Sequence, residues 1–160
     1  MSFDIRLMHF EGNDLAEANR EAVGVVLSQY SIASNGDDPG QHSVTVGEDE
    51  PFVIFANLES DEQFNSCAFE LRSYTVECCN FILKLAAAGD MVIFNCQGDD
   101  SPENPVMILS RPTQLETTPP LYENRIHATS GYHLLQLLLG SIVSWSEYRD
   151  QVTGRTSGEA

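Results

Sequence analysis

The stretch YTVECCNFILKLAAAGDMVIF, from Tyr74 to Phe94, decides the fold class, because it passes from a helical to an extended pattern within two residues. Up to Ala88 its only polar residues are Thr75, Glu77, Asn80 and Lys84, and the last three share one helical face. This predicts a mostly buried helix with a narrow polar stripe. Gly89 is expected to supply the left-handed stop that ends such helices. Met91 to Phe94 then reads as a central strand, since a short, wholly apolar run suits a strand covered on both faces. Beyond it, residues 98–105 form a loop and Val106 to Leu109 a partner strand, which completes a hairpin.

Towards the N-terminus, Phe3, Ile5, Leu7 and His9 alternate with Asp4, Arg6, Met8 and Phe10, the period of a strand over residues 2–10. Gly12 and Asn13 break it, and Asp14 with Glu17 resembles a capping box opening a helix that runs to about Tyr30. Leu15, Ala18, Ala22, Val25 and Val26 would be its buried stripe. Turn-forming residues fill positions 34–41, predicting a mobile loop. Val44 and Val46, the acidic turn at 48–51 and Phe52 to Leu58 suggest a hairpin, and Cys67, Phe69 and Leu71 a further strand. Residues 112–130 carry three prolines and no clean period. A last helix is expected from Tyr132 to Gln151, with His133, Gln136, Gly140, Ser144 and Glu147 along one side and a wide apolar side opposite. The predicted fold is α+β, a mainly antiparallel sheet of about six strands with three packed helices, in a single domain over 1–152 with a disordered tail at 153–160.

Charge restricts the partners. The chain has 24 acidic and 8 basic residues, a formal charge of -16, and Lys84 is its single lysine. Such a field repels nucleic-acid and anionic-lipid surfaces and attracts a basic protein. The longest apolar run, Leu134 to Trp145, contains Gln136 and Gly140 and is shorter than the ~20 residues of a membrane span. Asp4 and Glu11 interrupt the opening segment, so no secretory signal is read and a cytoplasmic location is expected. In that compartment Cys67, Cys78, Cys79 and Cys96 are expected as reduced thiols filling apolar space.

Motifs for chemistry are sparse. The acidic clusters fall in predicted loops, and none has the alternating ligands of a calcium loop. No Cys-x-x-Cys or His-x-x-x-His pair exists, and the neighbours Cys78 and Cys79 diverge by roughly 100° on a helix, so no metal site is read. The glycines at 36 and 40 lead into a strand beside two aspartates, unlike a phosphate cradle, which opens a helix. No cofactor is expected.

The opening Met1-Ser2-Phe3-Asp4-Ile5, the helix ending in Gly89-Asp90 before Met91-Val92-Ile93-Phe94, the returning Pro105-Val106-Met107-Ile108 and the final helix after Ser130-Gly131 resemble a family of small bacterial proteins encoded beside secreted-toxin systems. The sequence differs where that family places Trp-Pro-Gly after the central strand, which here is Asn95-Cys96-Gln97-Gly98. Some such proteins resemble immunity proteins, and the resemblance implies one cognate toxin as partner. No catalytic residue comes with it.

The expected function is therefore an immunity-like protein that occludes a basic toxin domain. Acidic loops at Asp37 and Asp38, at Glu48, Asp49 and Glu50, and at Asp99 and Asp100 would steer association, with Tyr122 among the anchoring aromatics. Two rivals stand beside it. One is a small hydrolase-type enzyme using a carboxylate with His9, His42 or His127. The other is an adaptor that forms homodimers through the apolar side of the last helix.

Overall fold

The computed structural model describes residues 3–35, 38–47, 51–56, 58, 62–71 and 74–140. The strands are β1 (Phe3–Met8), β2 (Phe10–Glu11), β3 (Asp14–Leu15), β4 (Ser31–Asn35), β5 (Asp38–Thr45), β6 (Phe52–Phe55), β7 (Ser66–Leu71), β8 (Val92–Asn95), β9 (Met107–Leu109) and β10 (Arg125–His127). The helices among the described residues are α1 (Arg20–Leu27), α2 (Val76–Ala88), the single turn α3 (Gln114–Thr117) and α4, residues 131–140. Eight strands form one sheet in the order β10-β9-β8-β1-β7-β6-β5-β4, while β2 and β3 make a separate small hairpin. Every pair in the large sheet is antiparallel except β9 with β10.

Alternation along the strands divides the sheet into two faces. Ile5, Leu7, Ile54, Phe69, Leu71, Ile93 and Ile108 point to one, and all are essentially inaccessible to solvent. Helix α2 lies in the same core, contributing Cys79, Phe81, Ile82, Leu85 and Ala86, with Leu134, Leu137 and Leu138 of α4 beside them. Glu77, Asn80 and Lys84 remain exposed, as the helical spacing predicts. Helix α2 starts where the Thr75 hydroxyl accepts the Cys78 amide at 3.1 Å. On the other face Val92, Met107 and Leu109 form a smaller buried cluster, with Phe10 and Phe94 packed against it.

The large sheet has eight strands, not about six, and there is a fourth helix. Two misread segments account for the difference. Of residues 34–41, expected as a loop, Ser34 and Asn35 belong to β4 and 38–41 to β5, which pair antiparallel. Residues 112–130, expected as irregular, contain α3 and β10; a three-residue strand is too short to show a period.

The first helix also starts later than expected. The Glu17 carboxylate does not cap it; one oxygen accepts the Phe64 amide at 2.6 Å and the other receives Arg20 at 2.9 and 3.1 Å. The Ala18 amide bonds the Phe64 carbonyl at 2.7 Å, so this segment is tied to another part of the chain before a helical turn can form. The cap is Asn19, whose side chain accepts the Ala22 amide at 3.1 Å. Consequently Leu15 and Val25 of the expected stripe are exposed, Ala18 and Val26 are buried as expected, and Val23 and Leu27 are buried with them.

The end of α2 differs in detail. Gly89 has φ of -87°, and the left-handed residue is Asp90 at +52°. Glycine is required at 89 for space, because a Cβ there would lie 2.9 Å from Val23 of α1 and 2.7 Å from the Met91 side chain.

No helix among the described residues is long and apolar enough to cross a membrane. The apolar side of α4 over 131–140 packs into the chain's own core, and the rest of the expected last helix and the tail lie outside the described residues.

Gly131 sits where α4 meets α2. A Cβ added to it would overlap the Asn80 side chain and lie 2.8 Å from the Asn80 backbone nitrogen, which cannot swing aside. Gly131→Ala is therefore expected to destabilise the protein by about 1–2 kcal/mol in urea unfolding, overpacking outweighing alanine's better helix propensity. Unchanged stability would show that α4 is not docked closely on α2.

Candidate partner-binding surface

The β2–β3 hairpin brings Phe10 opposite Leu15. Phe10 meets Phe94 of β8 edge-on, with ring centroids 6.1 Å apart, and Phe94 meets Tyr122 at 6.4 Å. The result is a row of apolar side chains, Leu15-Phe10-Phe94-Tyr122, that is only partly covered. Leu15 is 42% and Tyr122 37% exposed, and the neighbouring Leu121 is 57% exposed. Glu11, Asp14 and Glu123 flank these residues in the chain and are exposed. Large aromatics edged by charge are what protein interfaces use as anchor and rim.

Two distant loops hold Tyr122 in this place. The Asp100 carboxylate accepts the backbone amides of Glu123 at 3.2 Å and Asn124 at 3.1 Å. The Asn124 amide group returns a bond to the Asp100 carbonyl. Asp100 adopts φ of +59°, which turns its backbone towards that strand of chain. The buried Asn95 donates to the Asn104 side chain at 2.9 Å, and the Asn104 backbone amide donates to the Ser101 hydroxyl at 3.1 Å. Asp99 is fully exposed, and hydrogen bonds from the Ser101 side chain and backbone hold its carboxyl below the usual range.

Asp99, Asp100 and Tyr122 are thus brought together, although 22 positions separate the second from the third. Asp100 is a clamp here as well as a charge. Asp38 opens β5, four strand spacings from β8 or roughly 19 Å, so its hairpin lies apart from this row. Asp37, Glu48, Asp49 and Glu50 lie outside the described residues. Phe10 and Phe94 were not singled out by sequence. Phe94 ends an apolar run that does not reveal which face is covered, and Phe10 reads as one more alternating strand residue.

The histidines that the enzyme reading offers as alternatives stand apart from one another, and His9 has carboxylates beside it, Glu11 3.7 Å from Nε2 and Asp90 3.9 Å from Nδ1. His127 on β10 and His42 on β5 stand six strand spacings apart, roughly 29 Å. The buried His9 also meets the backbone, its Nδ1 lying 2.7 Å from the Asp90 carbonyl oxygen. The Asp90 side chain accepts from Gln114 at 3.0 Å, and Gln114 in turn accepts the Ser110 amide at 2.8 Å. Nδ1 of His42 is buried and has no hydrogen-bond partner.

Among the thiols, burial pushes Cys67 up to about 12 and raises Cys79 further. Cys96 is exposed; partial burial still raises it, although Arg6 pulls the other way. No group of three or more His, Cys, Asp or Glu able to hold a metal occurs among the described residues. Compared with protein-family models, curated proteins and solved structures, the chain matches none.

Two outcomes are expected from this geometry. A thiol reagent at neutral pH should modify one cysteine, Cys96, in the native protein and four after unfolding; fast native reaction of a second thiol would contradict the burial of the other three. Asp100→Ala should lower stability by about 1 kcal/mol and increase the mobility of Tyr122 in NMR relaxation, because its charged hydrogen bonds are only half shielded from water. Asp99→Asn should leave Tyr122 unaffected, and equal effects from both variants would remove the distinction between clamp and surface charge.

Proposed function

We propose that this chain is an immunity-like binding protein that covers a basic toxin domain, with the Phe10-Phe94-Tyr122 row as its anchor. The observation that carries this reading is the aromatic row itself: large rings stay partly exposed at a place that hydrogen bonds hold in shape, within reach of exposed acids. Exposing such rings is unfavourable in an isolated protein, and a partner surface removes them from water. The formal charge of -16 supplies the long-range attraction. The resemblance to immunity proteins supports the choice of a toxin as partner.

In this mechanism the acids act mainly on encounter and the rings on residence time. The acidic field orients the basic toxin, and Tyr122 and Phe94 then fill an apolar recess beside its active site. Substrate is excluded without any bond being made or broken.

The test is coexpression with the product of the adjacent open reading frame. Growth should be restored, and the two chains should purify together in equal amounts. The association rate should fall about tenfold or more between low and high salt while dissociation changes less, and Tyr122→Ala should weaken the complex about tenfold. Growth rescue without a stable complex would replace occlusion by an enzymatic reading in which the protein acts on the toxin's product.

A further inference from the structure

The β2–β3 hairpin carries Phe10, yet it is a weak element, with two residues on each strand and Glu11 directly opposite Asp14. Like charges in that register oppose its closure. His9 immediately precedes it and has a fixed backbone. Its amide donates to the Asn65 carbonyl at 3.0 Å, and its carbonyl accepts the Ala16 amide at 3.0 Å, at the foot of the hairpin. Its side chain, 11% exposed, stands between the hairpin and the turn that joins α2 to β8.

The surroundings of the ring set where its hydrogens sit. Asp90, with φ of +52°, presents both its carbonyl oxygen and a carboxylate oxygen to Nδ1, at 2.7 and 3.9 Å. Gln114 donates to the other carboxylate oxygen at 3.0 Å and so holds Asp90 in this position. A carbonyl only accepts, so Nδ1 carries a hydrogen. In the neutral ring Nε2 is then an acceptor, and it faces another acceptor, the Glu11 carboxylate, at 3.7 Å. With a second hydrogen Nε2 becomes a donor. A shift of about 0.5–1 Å by the hairpin then closes a charge-assisted hydrogen bond. Asp14, Glu17 paired with Arg20, Glu62 and Arg111 are charged residues in the segments bonded to His9 and Asp90, and the acids among them add to the attraction for a cation there.

We propose that His9 is a proton-operated latch for the β2–β3 hairpin. When the ring takes a second hydrogen from solvent, Nε2 donates to Glu11, the positive charge offsets the repulsion between Glu11 and Asp14, and Phe10 is fixed against Phe94. When that hydrogen leaves, Nε2 and Glu11 face each other as two acceptors and the hairpin loosens. The latch is therefore closed in acid and opens as the pH rises. It deepens the toxin-binding reading by naming a regulation of the Phe10-Phe94-Tyr122 anchor, and it rests on that reading only for what the hairpin holds.

The test uses the full chain, labelled with nitrogen-15 for NMR, at about pH 5.5 and about pH 8, on either side of the range in which imidazoles titrate. Long-range nitrogen–proton spectra should show His9 Nδ1 protonated at both values and Nε2 only at the lower. Order parameters of the Glu11 to Asp14 amides should fall from the rigid level of about 0.85 towards about 0.6 as the pH rises. Glu11→Ala, at an exposed position, leaves the fold intact and should abolish this pH dependence. Asp14→Asn removes the repulsion but keeps the latch, so it should retain it. The proposal is overturned if Nδ1 is the bare nitrogen at pH 8, if the hairpin amides are equally ordered at both values, or if Glu11→Ala responds to pH like the parent. A partner bound through Phe10 and Tyr122 by a chain that fails these measurements would remove the latch alone. A pH-dependent hairpin in a chain that binds no toxin would remove the binding reading alone.

Discussion

The position of Phe81 sets the arrangement of the whole molecule. Its ring, on α2, lies 4.6 Å from Tyr30 after α1, 5.8 Å from Phe52 on β6 and 6.2 Å from Phe69 on β7. Four aromatic rings therefore join two helices to the middle of the sheet at one point. Replacing a buried Phe by Ala costs about 3–5 kcal/mol, a large share of the 5–15 kcal/mol of a typical domain. Helix α2 is fixed to this face, and on the opposite face of β1, β7 and β6 none of the described side chains is buried.

Two parts of the sheet meet this constraint differently. At the β8–β9 end, Val92 and Met107 turn away from the helices and are still buried, in a small second cluster that Phe10 and Phe94 border. Polar bonds from Gln114 to Ser110, Arg111 and Asp90 brace the chain beside it. Over β6 and β7 no second cluster forms among the described residues. Phe55, Val53 and Ala68 stay only half-buried. The candidate interface begins where this second cluster stops.

Much of the architecture was legible wherever one pattern ran long enough. Helix α2 could be read because its polar residues at 77, 80 and 84 repeat with the helix, and β1, β7 and the β8–β9 hairpin because apolar residues alternate or cluster between turn signals. The failures share a cause in contacts made over long sequence distances. Glu17 had the right spacing for a cap, but Phe64 claimed its carboxylate. Arg125 to His127 is a strand only because β9 stands beside it in parallel. At the site, Asp99, Asp100 and Tyr122 were individually visible as exposed loop residues. Their meeting depends on a carboxylate bonding two amides far along the chain, and nothing in either local segment encodes that.

Two pairs of acids stand where their mutual repulsion lowers stability. A chain with a net charge of -16 has many ways to place its carboxylates, and solubility is served equally by acids set apart on loops. Here two pairs stand in direct cross-strand register, Asp4 opposite Glu70 and Glu11 opposite Asp14. Both pairs are exposed, so burial of some other group does not force the arrangement. Opposed like charges lower stability by roughly 0.2–1 kcal/mol per pair relative to neutral residues. They add nothing to solubility that the same charges one row apart would not give. Each pair also lies beside half-buried apolar side chains, Val53 and Ala68 in one case and Phe10 in the other. A cation beside either pair would turn that repulsion into attraction, which is how a basic partner of the proposed kind would gain from their placement.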